Sequence, residues 1–123
     1  MIRSLSISPD SIQFITTSFD NNIKVWSPRG LSLIKNIVGH AGYVKKAIFS
    51  NDGSKAITAG NDFVTKEWEA STGNYIRSFT PDSSLSNSIA LSKDGSKLAI
   101  VRNNKIFIYD YNSANLLQTI NAH

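Results

Sequence analysis

The chain has 123 residues, of which 41% are hydrophobic and 18% are charged, and this composition excludes a disordered protein. It contains no cysteine, so disulfides and thiolate metal sites are excluded, and no apolar run approaches the ~20 residues that span a bilayer. The net charge is +4, but the cations are scattered and do not form the basic stripe expected of a nucleic-acid-binding protein. The N-terminal residues lack the apolar stretch of a secretory signal. We expect an intracellular protein, cytoplasmic or nuclear, with no membrane or nucleic-acid partner.

A sequence unit of about 40 residues occurs three times along the chain. The aromatic residues Trp26, Trp68 and Tyr109 lie 42 and 41 residues apart. Serines that open a turn recur at steps of 42 residues, at Ser8, Ser50 and Ser92. A fixed period of this length is the signature of a repeat architecture.

Each unit is predicted to form short β-strands separated by turns. After an innermost strand at the start of the chain, the first unit has strands predicted at 12–17, 23–26 and 33–38. The second unit has predicted strands at 43–50, 55–59, 63–69 and 74–80, and the third at 97–101, 106–109 and 116–120. The Asn51-Asp52-Gly53 sequence predicts a type I′ hairpin turn. No segment keeps a helical period. We therefore predict an all-β fold of three four-stranded antiparallel units, at about 1–40, 41–82 and 83–123.

The order of Gly39-His40, the run 49–53 (FSNDG), Asp62 and Trp68 resembles the WD-repeat pattern of the β-propeller family. The resemblance covers essentially the whole chain, although Ser27 and Glu69 replace the aspartate that normally follows the tryptophan. It implies a ring of four-stranded blades that acts as a scaffold for protein complexes. It implies no catalytic residue, no metal and no cofactor.

In that family, a buried hydrogen-bonded set of one histidine, one Ser or Thr, one Asp and one Trp ties each blade together. The resemblance places the full set in the second unit, at His40, Thr58, Asp62 and Trp68. It places three members in the first unit, at Thr16, Asp20 and Trp26. The third unit cannot build the set, because its four positions hold Asp82, Ala99, Asn103 and Tyr109.

The resemblance also implies a partner-binding rim at one end of the ring's central channel. It would consist of residues that begin the first strand of each unit and of the residue before each turn aspartate. In this chain those positions are Arg3, Phe19, Tyr43, Lys45, Asn61, Leu85, Asn87 and Arg102. Arginine and aromatic side chains are frequent in interface hot spots, so we expect other proteins to bind there.

Two other functions remain as alternatives: a fragment of a propeller enzyme or metal-dependent hydrolase, and a nucleic-acid-associated propeller that binds through basic residues such as Lys45 and Lys46. A hydroxyl nucleophile, a base and an orienting acid could be drawn from Thr58, His40 and Asp62. However, the same positions recur with non-catalytic occupants in the neighbouring units. The aspartates at 10, 52 and 94 recur as turn residues, and no phosphate-binding glycine loop occurs.

Three units do not close a ring, because propellers have four to eight blades. His123 stands where the histidine of a following unit would belong. We expect either that the chain is a segment of a longer propeller or that identical chains associate to complete a ring. Within the second unit, Glu67 occupies a position where a buried apolar residue is expected, and an ionised carboxylate there needs a partner. A strand bulge, or Lys46 or Lys66, is the predicted explanation.

Overall fold

Three four-stranded antiparallel sheets form the fold in the computed structural model, which describes residues 1–79 and 86–122. Sheet 1 consists of β1 (Ile2–Ile7), β2 (Phe14–Ser18), β3 (Asn22–Ser27) and β4 (Ser32–Val38). Sheet 2 consists of β5 (Val44–Phe49), β6 (Lys55–Gly60), β7 (Thr65–Glu69) and β8 (Tyr75–Phe79). Sheet 3 consists of β9 (Ser86–Leu91), β10 (Lys97–Arg102), β11 (Lys105–Asp110) and β12 (Leu116–Asn121). The predicted all-β fold class is confirmed.

Each sheet is a meander, because strands that follow one another in the chain are also neighbours in the sheet. No α-helix occurs within residues 1–79 and 86–122, so none of them crosses a membrane as an apolar helix. The division of the chain into units at about residues 40 and 82 stays a prediction, since residue 82 falls outside the described residues.

The turn between the first two strands is built in the same way in every sheet. In sheet 2, the Ser50 hydroxyl donates to Asp52 Oδ1 at 2.6 Å and accepts the Lys55 amide at 3.0 Å. Hydrogen bonds from the Ser50 hydroxyl and from Ser54 lower the pKa of Asp52 to about 2. Of the two central residues Asp52 and Gly53, only Gly53 has a positive φ, of 74°. The predicted type I′ turn is therefore wrong, because the serine hydroxyl, and not a left-handed residue pair, organises the turn.

The sheets stack face to face, and each interface contains one apolar core. Sheets 1 and 2 enclose a core that includes Ile15, Val25, Ala47 and Trp68. Sheets 2 and 3 enclose a second core that includes Ile57, Phe79, Ile100 and Tyr109. The first strands approach one another, with β1 in contact with β5 and β5 in contact with β9. The stack is therefore held along its innermost strands.

An ion pair within sheet 2, between Glu67 and Arg77, lies at the interface with sheet 3. Glu67 is 1% exposed, and its Oε1 accepts a hydrogen bond from Arg77 Nε at 3.0 Å. The Arg77 guanidinium also donates to the backbone carbonyls of Tyr111 and Asn112 in sheet 3. Burial, and then the neighbouring Glu67 carboxylate, raise the pKa of the Tyr111 hydroxyl. The expected strand bulge is present between Glu67 and Trp68, but the cation that pairs with Glu67 is Arg77 and neither predicted lysine.

We predict that Arg77→Leu lowers the free energy of unfolding by about 3–5 kcal/mol, because it leaves the Glu67 carboxylate buried without its cation. The double variant Glu67→Val/Arg77→Leu should recover most of that loss, since valine occupies the corresponding position 25 of sheet 1. Urea denaturation followed by circular dichroism measures both values. If the double variant is as unstable as Arg77→Leu, the arginine stabilises the interface through its backbone contacts and not through Glu67.

Candidate functional site

A buried set of four side chains joins the segment before β5 to strands β6 and β7. His40 Nδ1 lies 2.8 Å from Asp62 Oδ1, and His40 Nε2 lies 2.7 Å from Thr58 Oγ1. Trp68 Nε1 donates to the same Thr58 Oγ1 at 2.8 Å. The His40 side chain is 0% exposed, and Asp62 also accepts the backbone amide of Ala41 at 3.0 Å. The four residues form one continuous chain of hydrogen bonds.

Two glycines leave the space that this set occupies. A Cβ on Gly39 would collide with the ring of Trp68, so the chain crosses that ring only with glycine at this position. A Cβ on Gly60 would collide with both His40 Nδ1 and Asp62 Oδ1. The role of Gly60 was missed in the sequence. Its counterpart in the first unit, which has no histidine, is Ser18, and this difference could have revealed it.

The imidazole of His40 is held in its neutral form. Burial lowers its pKa, and this effect outweighs the opposing effect of Asp62. Burial alone would raise the pKa of Asp62, but the hydrogen bonds from His40 and the Ala41 amide lower it overall. A proton on Nδ1 then faces the carboxylate, and Nε2 accepts from the Thr58 hydroxyl. Lys66 Nζ, 3.5 Å from Asp62 Oδ2, also donates to the Gly39 carbonyl and covers the open side of the set.

Sheet 1 repeats only part of this arrangement. Trp26 Nε1 donates to Thr16 Oγ1 at 2.9 Å, in register with the Trp68 to Thr58 bond of sheet 2. The Asp20 carboxylate instead accepts the Asn22 amide of its own turn at 3.1 Å. In sheet 3, Tyr109 is buried, whereas Asp82 lies outside the described residues.

The predicted rim lies at the end of the sheets where β1, β5 and β9 begin. Each of these strands carries a β-bulge, and the extra residues are Arg3, Lys45 and Asn87. The three positions are spaced by 42 residues, so the bulge is part of the repeat. A bulge breaks the alternation of side chains and re-aims the extra residue. One residue in the first strand of each sheet therefore interrupts the regular strand pairing at this end of the stack.

Three predicted rim residues meet across the boundary between sheets 1 and 2. The Cζ atom of Arg3 lies 4.9 Å from the ring centroid of Phe19 and 6.0 Å from that of Tyr43. The two rings are 5.1 Å apart and inclined by 55°. Arg3 and Phe19 are exposed, and Tyr43 is half-buried. We call Arg3, Phe19 and Tyr43 the aromatic rim cluster.

The other predicted rim residues differ in their surroundings. Asn61 donates its backbone amide to the Tyr43 carbonyl at 2.8 Å, which fixes the backbone beside the cluster. Lys45 is half-buried. Leu85 lies outside the described residues, and Asn87 is described only by its backbone position in β9.

The prediction that Arg102 belongs to the rim is wrong, because its side chain is 1% exposed and cannot contact a partner. Its guanidinium donates to the carbonyls of Phe63 at 3.0 Å and Phe79 at 3.3 Å, both in the preceding unit. Phe63 has a φ of 69°, a left-handed conformation that is rare for a bulky residue. Arg102 thus supports a strained turn of the neighbouring unit, which no local sequence pattern could reveal.

The described part of the chain offers little to a metal ion or a substrate at these positions. Within residues 1–79 and 86–122, no three His, Asp or Glu side chains lie close enough together to hold a metal ion. The Thr58 hydroxyl is fully buried and is bonded to His40 and Trp68, so it is not presented to solvent as a nucleophile.

Comparisons with known proteins give one family match and several relatives. The family model described as WD domain, G-beta repeat, matches residues 1–27. The chain is 30% identical to p21-activated protein kinase-interacting protein 1-like from Danio rerio over 103 residues, which are 82% of this chain and 27% of that protein. It is 26% identical to Cross-pathway control WD-repeat protein 2 from Flammulina velutipes over 106 residues, 86% of this chain and 33% of that protein.

A third relative is Small ribosomal subunit protein RACK1 from Neurospora crassa, which is 24% identical over 105 residues, 85% of this chain and 33% of that protein. The chain therefore spans between about a quarter and a third of the length of these curated relatives.

We predict that Trp68→Phe lowers the free energy of unfolding by about 1–3 kcal/mol more than Trp26→Phe does, as chemical denaturation would measure. The first change leaves the buried Thr58 without its indole donor, whereas Thr16 is only half-buried and can bind water instead. Equal losses in the two variants would mean that the buried set contributes no more to stability than the partial set in sheet 1.

Proposed function

We propose that this chain, which belongs to the WD-repeat family, acts as a non-enzymatic scaffold that binds other proteins. The names of its relatives support this proposal, since one is described as interacting with a protein kinase and another as a ribosomal subunit protein. We also propose a position inside the cell, in the cytoplasm or the nucleus, and the relative that is named as a ribosomal subunit protein supports an intracellular position. Scaffolding requires a stable frame and an accessible surface, and the described residues supply a candidate for each.

The frame is the buried, hydrogen-bonded set of His40, Thr58, Asp62 and Trp68, which we call the His40 set. Its side chains are buried and bonded to one another, so they serve the cohesion of sheet 2 and leave no reactive group accessible. This arrangement supports a non-enzymatic role over a hydroxyl nucleophile, because a nucleophile must reach its substrate.

The accessible surface is the rim, and the aromatic rim cluster is the single observation that carries the proposal. Phe19 is 45% exposed although it is a large apolar side chain, and its ring is held in place by Arg3 and Tyr43 from two different sheets. Rigid aromatic side chains lose little conformational entropy when a partner covers them. Arginine with aromatics is also the composition of interface hot spots.

We further propose that more sheets of the same kind cover both ends of the stack. On the outer face of sheet 1, an apolar groove of about 340 Å³ is lined by Leu5, Ile7, Phe14 and Pro28. On sheet 3, every described residue of β12 is exposed, including Leu116, Leu117 and Ile120. Terminal repeats that stay uncovered normally carry polar faces. Further blades of a longer protein, or a second copy of this chain, would supply the cover.

The rim assignment predicts that Phe19→Ala/Tyr43→Ala lowers recovery of co-isolated proteins from a cell extract by at least about fivefold, as hot-spot truncation would. Quantitative mass spectrometry measures the recovery. The control is Leu31→Ala/Leu33→Ala, which removes two exposed side chains at the opposite end of sheet 1. Both variants should keep the β-sheet circular dichroism of the parent. Unchanged recovery with the rim variant would contradict the assignment.

For the ends of the stack, we expect the purified 123-residue chain not to behave as a monodisperse monomer in light scattering, because both outer faces are apolar. A discrete dimer would identify a second copy as the cover, and heterogeneous association would point to missing blades. A single monomeric species that unfolds cooperatively would contradict the proposal that these faces need a cover.

A further inference from the structure

We infer that the aromatic rim cluster binds a peptide through one acidic side chain that stands beside an apolar residue. The inference rests on the proposed protein-binding function and adds the chemistry of the partner. It is carried by the juxtaposition of an exposed arginine with two aromatic rings at the junction of two sheets.

The charge of Arg3 is not neutralised within the described part of the chain. The ion pairs found there join His40 and Lys66 to Asp62, and Arg77 to Glu67, and none involves Arg3. Its guanidinium is placed over aromatic rings, and a guanidinium that contacts rings through its face keeps the N–H groups of its edge available. That edge matches the two oxygens of a carboxylate.

The position of Arg3 is set before any ligand arrives. The bulge fixes its backbone between Ile2 and Ser4, and the Phe19 and Tyr43 rings limit the rotamers of its side chain. The Tyr43 backbone is in turn held by the amide of Asn61. Ordering a long side chain in advance removes part of the entropic cost of binding.

The surroundings favour a single carboxylate over a polyanion. The exposed carboxylate of Asp20, next to Phe19, places a negative charge at the same end of sheet 1. Successive phosphates of a nucleic acid would meet this carboxylate as well as Arg3, whereas one acidic side chain contacts Arg3 alone. The exposed ring of Phe19 offers apolar surface directly beside the cation, which suits an aromatic or aliphatic neighbour of the acidic residue. The net charge of +4 favours acidic partners as well.

Nuclear magnetic resonance tests this inference on the isotope-labelled 123-residue chain. The Nε–Hε signal of Arg3 is followed while a capped tetrapeptide, Gly-Phe-Glu-Gly, is added. The same peptide with glutamine, lysine or phosphoserine in place of glutamate is added in parallel titrations. We expect a saturable shift with the glutamate peptide and binding at least about tenfold weaker with the glutamine peptide, because the charge-assisted pair is lost.

Two variants of equal charge separate the local site from the overall charge. Arg3→Gln should remove the preference for glutamate over glutamine. Arg29→Gln should keep it, since Arg29 is exposed in the β3–β4 turn at the opposite end of sheet 1. Equal loss of preference in both variants would overturn the inference, because the selectivity would then come from net charge.

Equal binding of the glutamate and glutamine peptides that is lost in Phe19→Ala overturns the acidic partner and leaves the proposed protein-binding rim in place. Tighter binding of the phosphoserine peptide overturns the choice of a carboxylate, and the absence of binding by every peptide overturns the site. The proposed protein-binding rim itself fails only if recovery of proteins from extract is independent of Phe19 and Tyr43.

Discussion

The neutral imidazole of His40 ties parts of the second unit together through side-chain hydrogen bonds, in addition to the backbone bond from the Asn61 amide to the Tyr43 carbonyl. It connects the segment before β5 with the β6–β7 turn through Asp62 and with the middle of β6 through Thr58. Trp68 joins from β7, and the ring of that tryptophan is in the core between sheets 1 and 2. A buried polar group is costly unless its hydrogen bonds are made. Since each member of the set supplies a partner to another, the set orients the Trp68 ring that packs in the core between sheets 1 and 2.

The interface between sheets 2 and 3 is held by a different means. Cationic side chains of each sheet donate hydrogen bonds to polar atoms of the other. From sheet 2, Lys46 donates to the Ser88 hydroxyl and Arg77 donates to backbone carbonyls in sheet 3. From sheet 3, Arg102 donates to backbone carbonyls in sheet 2. Part of the positive charge of the chain is therefore structural. Within the described residues, Arg3 and Arg29 make no such contact with another sheet through a hydrogen bond or ion pair, and of these two only Arg3 lies over aromatic rings.

Much of the fold could be predicted because it is encoded in a local period. The spacing of Trp26, Trp68 and Tyr109 and the regular turns fixed the number of strands and their order. The members of the His40 set were identified from the resemblance. The partner of Glu67 was not, because Arg77 is ten residues away in sequence and is brought opposite Glu67 only by the pairing of β7 with β8. The burial of Arg102 was missed for the same reason.

The sequence by itself determined the repeat and the all-β class, since these depend on turns and alternation within about 40 residues. Only the tertiary structure decided which predicted rim residues share one surface. Arg3, Phe19 and Tyr43 come together because sheet 1 stacks on sheet 2, whereas Arg102 is enclosed because sheet 3 stacks on the Phe63 turn. The angle and depth of such stacking follow from the shapes of two whole faces. No single repeat contains that information.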